Sequence, residues 1–111
     1  MELSNNEKVK IQQLIDMAMR REFERGLMEV DSILQLWRTG KMNYKESYYS
    51  LYKHITEFNN NIAQRYETLN PNTQLLTLVS LLVDKTIDES DLVDFSHELK
   101  NYLKSVLISL S

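Results

Sequence analysis

A chain of 111 residues with 42% hydrophobic and 26% charged side chains can bury a real core without metal or disulfide staples and is not composed like a disordered tail. The absence of cysteine excludes disulfides, thiolate nucleophiles and thiolate metal sites together. A formal charge of −3 gives no global attraction to nucleic acid or anionic membranes, and two glycines with one proline are too few for the turns of a β-sandwich or barrel.

The first twenty residues hold Glu2, Glu7, Lys8, Lys10 and Asp16, so no apolar leader segment is expected there. The longest apolar run, "LLTLVSLLV" at 75–83, falls well short of the roughly 20 residues that span a bilayer. The expected protein is soluble and cytoplasmic.

The first helix opens at "SNNE", where Ser4 can cap free backbone N–H groups and Glu7 can reach back to it. Apolar residues then recur at Ile11, Ile15, Met19, Phe23, Val30, Ile33 and Trp37, with Gly26 in the seam position between Phe23 and Val30. The rhythm from Phe23 onward is a heptad seam, and the extra four-step before it is a stutter. Gly40 suits a left-handed C-terminal cap. Gly26 either breaks this helix or lets another helix come close. With no proline or polar turn cluster beside it, continuity is the expectation.

The second helix begins at "NYKE", with Asn43 and Glu46 as a capping pair, and runs to about Leu69 before Pro71, which disfavours helical geometry at Asn70. Its expected inner face is Tyr44, Tyr48, Leu51, Ile55, Phe58, Ile62, Tyr66 and Leu69. The third helix, at 73–84, is apolar on nearly every side and so should be surrounded. Thr86 and Glu89 can cap a fourth helix that carries Leu92, Phe95, Leu99, Tyr102, Leu103, Val106 and Leu110 at helical spacing. Residues 1–111 thus read as one all-α domain. It is an antiparallel bundle of four helices, or five if the first breaks at Gly26, with one long N-terminal helix.

The stretch "NYKESYYSLYKHI" at 43–55 asks whether its tyrosines are surface or core. On a wheel of about 100° per residue, Tyr44, Tyr48 and Tyr66 fall inside the apolar face and are expected in the core or at its edge, with hydroxyls reaching the boundary. Tyr52 lies on its shoulder and Tyr49 faces outward, flanked by Lys45 and Lys53. Arg38 and Lys41 extend the same elbow, so residues 38–53 hold four basic groups against Glu46 alone. Such a basic, aromatic patch suits an acidic partner or a stacked base. Trp37 is expected to pack beneath it. From Asp84 to Glu98 six acids face Lys85 alone, an arrangement explained mostly by acids favouring a helix N-terminus.

Catalytic and metal motifs do not assemble. "DKTIDESD" begins like a calcium loop, but Glu89 and Phe95 stand where the sixth-position glycine and twelfth-position glutamate belong. Asp94–His97 and His54–Glu57 have the wrong identity and order for carboxylate-bridged metal sites. No cofactor is expected. The unequal helix lengths favour association instead, with Leu14, Met17 and Met28 as a second stripe on the first helix. The leading expectation is a non-enzymatic protein–protein interaction or regulatory module that forms a homo-oligomer through that helix. Tyr49, Lys45, Lys53, Arg38 and Lys41 would meet another protein partner. A nucleic-acid-binding protein using elbow 38–53 is the alternative, and a small helical enzyme using carboxylates and tyrosines the second alternative.

Overall fold

A computed structural model of the chain describes residues 3–66 and 73–110. Among these the fold is all-α, with α1 at Asn5–Arg38, α2 at Tyr44–Tyr66, α3 at Gln74–Val83, a 3₁₀ turn at Glu89–Leu92 and α4 at His97–Leu110. The expected end of α2 at Leu69 and Pro71 lies outside the described residues. No described helix is long and apolar enough to cross a membrane.

The helix ends follow local chemistry. Ser4 Oγ accepts the Glu7 N–H at 3.1 Å, and α1 continues unbroken through Gly26 for 34 residues. It stops in a Schellman arrangement: Gly40 takes φ +76° while the Lys41 N–H donates to Leu36 O at 2.9 Å and the Gly40 N–H to Trp37 O at 3.1 Å. Asn43 Oδ1 accepts the Glu46 N–H at 2.8 Å and so starts α2. The expected Thr86–Glu89 cap is replaced by a neighbouring pair. Asp88 accepts from the Ser90 N–H and Asp91 from the Asp88 N–H, which caps the 3₁₀ turn. Leu92 and Phe95 therefore precede α4, which Ser96 caps by accepting the Leu99 N–H.

The chain divides into two compact units, one drawn from residues 1–21 and 68–111, the other from 22–67. In the first, Ile11, Leu14, Ile15 and Ala18 of α1 are buried, as are Leu78, Val79 and Leu81 of α3, then Ile87, Leu92 and Phe95, and Leu99 and Leu103 of α4. The helix α3 is not wholly surrounded: Leu76 and Val83 are exposed. Thr77 replaces an apolar residue on its inner side.

Arg21 ties the turn after α3 to α1. Its guanidinium donates to Thr86 O at 3.0 Å and to both carboxylate oxygens of Asp91 at 3.0 and 3.1 Å. That hydrogen bonding holds the Asp91 carboxyl below its ordinary range, against a smaller opposing push from burial. A depressed carboxylate stabilises the folded state above its unfolded pKa, and this contribution is lost as pH falls through the lower folded value. Asp91→Asn should therefore cost about 1–2 kcal/mol at neutral pH, discounted because the Arg21 side chain is 40% exposed. It should also flatten the acid limb of thermal unfolding followed by circular dichroism. An unchanged acid limb would show that Asp91 plays no part in it.

Candidate functional site

The second unit is an antiparallel helical hairpin made from the latter half of α1 and from α2. Three rungs join its helices, and their numbers run in opposite senses. Glu22 pairs with Arg65, Gly26 faces Phe58, and Glu29 meets His54 at 3.1 Å. A Cβ placed on Gly26 would lie 2.7 Å from Phe58 Cε2, so the bare glycine permits a close approach. His54 bridges two acceptors, with Nε2 at 3.2 Å from Gly26 O and Nδ1 at 3.1 Å from Glu29. Both contacts are hydrogen bonds only when each ring nitrogen carries a proton.

This polar, close-set seam rotates both helices relative to the sequence expectation. The inward positions of α2 are Ser47, Leu51, His54, Phe58, Ile62 and Arg65, of which only Ser47 is fully buried. Tyr44 and Tyr48, expected in the core, are instead 78% and 69% exposed. Trp37, expected to be packed beneath the elbow, is 48% exposed. Ile55 and Tyr52 are also exposed. On α1 the inward residues are Glu22, Gly26 and Glu29, so Phe23 and Leu27 turn outward. Tyr66 is buried as expected, but its hydroxyl has no partner among the described residues. Burial pushes its phenol above the ordinary range, with Arg65 and Arg25 opposing.

The exposed apolar residues, with the half-buried Val30, Leu34, Leu51, Phe58 and Ile62 along the edge of the seam, form one apolar side of the hairpin. Leu34 and Trp37 of α1 share a groove of about 440 Å³ with Tyr44, Tyr48 and Leu51 of α2. Further along, Phe23 meets Phe58 edge to face at 5.3 Å between centroids. On α1 this side reads Phe23, Leu27, Val30, Leu34, Trp37, and on α2 Tyr44, Tyr48, Leu51, Ile55, Phe58, Ile62. Both series step alternately by four and three, the spacing of helices that pack along a seam. The opposite flank carries Arg25, Ser32, Lys53, Glu57 and Gln64 at the corresponding helical positions.

Unit two has little interior of its own. Its buried described residues are Glu22, Gly26, Ser47 and Tyr66, with no aliphatic side chain among them. Exposed apolar area of this extent is uncommon on a solitary soluble protein.

Of the other expected site residues, Tyr49, Lys45, Lys53, Arg38 and Lys41 are all exposed. Lys45, Tyr49 and Lys53 line a shallow groove of about 560 Å³ with Met42, Asn43, Glu46 and Ser50, which Arg38 and Lys41 do not line. Tyr49 packs edge-on against Tyr48 at 6.0 Å, and Lys53 sits 4.0 Å from Glu57. The residues of the expected self-association stripe differ in their surroundings. Leu14 is only 6% exposed because it belongs to the core of the first unit. The thioether of Met17 lies against Arg21, while Met28 is exposed on the polar flank with Ser32.

The signal that could have revealed the apolar side is present in the sequence. Phe23, Leu27, Val30, Leu34 and Trp37 form a heptad as regular as the seam through Gly26. No family model matches this chain, and neither a characterised protein nor a solved structure shows significant similarity to it.

Proposed function

We propose that the chain is a non-enzymatic protein–protein interaction or regulatory module whose docking element is the α1–α2 hairpin, acting in the cytoplasm. One observation carries the reading. The side from Phe23 to Trp37 and from Tyr44 to Ile62 is apolar and spaced for helix packing, and its Phe23, Leu27, Trp37, Tyr44, Tyr48 and Ile55 are exposed. Burying it stabilises a complex by about 25 cal/mol per Å² of apolar area before the costs of association are subtracted. Aromatic anchors such as Trp37, Tyr44 and Tyr48 are the residue types that dominate such interfaces.

The reading is tested by installing a photoreactive phenylalanine analogue at Tyr48 and, as a control, at Glu57 on the polar flank. Irradiation in cells should give protein adducts from position 48 and few from 57, whether the captured protein is this chain or another. A side at position 48 that captures no protein, or no more than position 57 does, would remove the proposal.

A further inference from the structure

We infer that the occupant of the hairpin's apolar side is a second copy of the same hairpin, the two packing face to face as an antiparallel four-helix bundle with α1 of each over α2 of the other. This rests on the reading just proposed and names its partner.

Four features favour a second copy. Two parallel heptad series need two covering helices; a single peptide or helix would fill only the groove between Trp37 and Tyr48 and leave the flanking rows wet. A second hairpin brings two rows with the same spacing, so the side is self-complementary, as a two-fold interface requires. The length to be covered is uniform along the unit, from Phe23 at one end to Trp37 at the other. The exposed parts of Phe23, Leu27, Trp37, Tyr44, Tyr48 and Ile55 come to roughly 600 Å² per copy, taking about half of the ~150–250 Å² that each aromatic can bury. With their half-buried neighbours they approach the ~800 Å² per partner of a stable interface.

Charge then chooses the pairing. With Glu22, Glu29 and Arg65 engaged inside the hairpin and Arg25, Lys53 and Glu57 on the polar flank, residues 22–38 keep Glu24 and Asp31 against Arg38, leaving −1. On α2 Lys45 balances Glu46, leaving 0. Placing α1 over the second copy's α2 avoids the repulsion of α1 over α1, which would set −1 against −1. In that arrangement the two-fold axis runs along the helices. Trp37 and Leu34 meet Tyr44 and Tyr48 of the second copy, and both α1–α2 turns lie at the same end.

Sedimentation velocity on the purified full chain, across a micromolar concentration series, is the test. The expected species is a dimer. Leu27→Glu and Tyr48→Glu should each raise its dissociation constant by roughly 100-fold, the range of interface hot spots. Met28→Glu, on the polar flank, should leave the dissociation constant unchanged. Circular dichroism of each variant separates lost association from lost helicity, and the chain's lack of cysteine permits a second measurement that needs no destabilising change. The single variant Lys41→Cys should oxidise to a disulfide-linked dimer, because both turns sit at one end, and Asn60→Cys should not. A wild-type monomer throughout the series would overturn the inference. Dissociation by Met28→Glu would do the same, as would a disulfide-linked dimer from Asn60→Cys with none from Lys41→Cys. A monomer that still gives adducts from position 48 in cells would sink the second copy alone and leave the broader reading standing.

Discussion

Arg65→Met should destabilise the hairpin by about 3–5 kcal/mol, the usual cost of removing one member of a buried ion pair. The side chains of Arg65 and Glu22 are only 20% and 10% exposed, and one carboxylate oxygen of Glu22 already lacks a partner among the described residues. Removing the guanidinium would leave a carboxylate in a place water reaches poorly, without the cation it is paired with. The double variant distinguishes this cause from simple loss of packing. In Glu22→Met combined with Arg65→Met, neither charge remains, and most of the lost stability should return. Urea unfolding followed through Trp37, the single tryptophan and a resident of this unit, reads the effect where it arises. A single-variant cost below about 1 kcal/mol, the range of exposed pairs, would mean that the pair is solvated and structurally minor.

Gly26→Leu is the second large effect. Even the first carbon of a side chain would stand 2.7 Å from Phe58 Cε2 and 3.0 Å from two further ring carbons, closer than non-bonded carbons sit. Helix propensity argues the other way, since replacing a mid-helix glycine gains up to about 1 kcal/mol. Over-packing at a well-fitted contact costs about 1–3 kcal/mol. A full leucine side chain belongs at the upper end of that range, because the His54 bridge to Gly26 O and Glu29 would be stretched with the ring contact. The net expectation is a loss of about 2 kcal/mol. Phe58→Ala should relieve it, so the double variant should be more stable than the sum of the two single changes predicts. Strict additivity in that cycle would show that the two positions do not touch.

These two contacts also explain where the structure follows the hydrophobic pattern and where it departs from it. Periodicity finds the face a helix prefers to bury, and the two agree where burial is available. Ile11 and Ile15 are fully buried, as are Leu99 and Leu103. Beyond Ala18 the pattern and the structure differ by one position. There Glu22 turns inward and Phe23 lies outside, while Gly26 keeps its expected place in the seam. On α2 the same rotation expels Tyr44 and Tyr48. A charged residue carries no weight in a hydrophobic pattern, yet the Glu22–Arg65 pair, beside the close approach at Gly26, is what positions this pair of helices. Tyr49 is at the surface, as expected, because it lies far from either candidate face. Leu14 is not, because it belongs to the core of the first unit.

The element ends are legible for a simpler reason. Ser4, Gly40 and Asn43 act on backbone groups within a few residues of themselves, so their meaning does not depend on the rest of the molecule. The all-α class follows from composition and period, and the unbroken passage of α1 through Gly26 from the lack of any turn signal beside it. The amino-acid order by itself therefore determined the helices, the caps at Ser4, Gly40 and Asn43 and the amphipathic character. Only the tertiary structure decided which face of each helix turns inward, because that choice depends on pairs distant in sequence: Glu22 with Arg65, Gly26 with Phe58, Glu29 with His54. Each such pair exists only after the chain has folded back on itself, and together they leave Tyr44, Tyr48 and Trp37 facing outward.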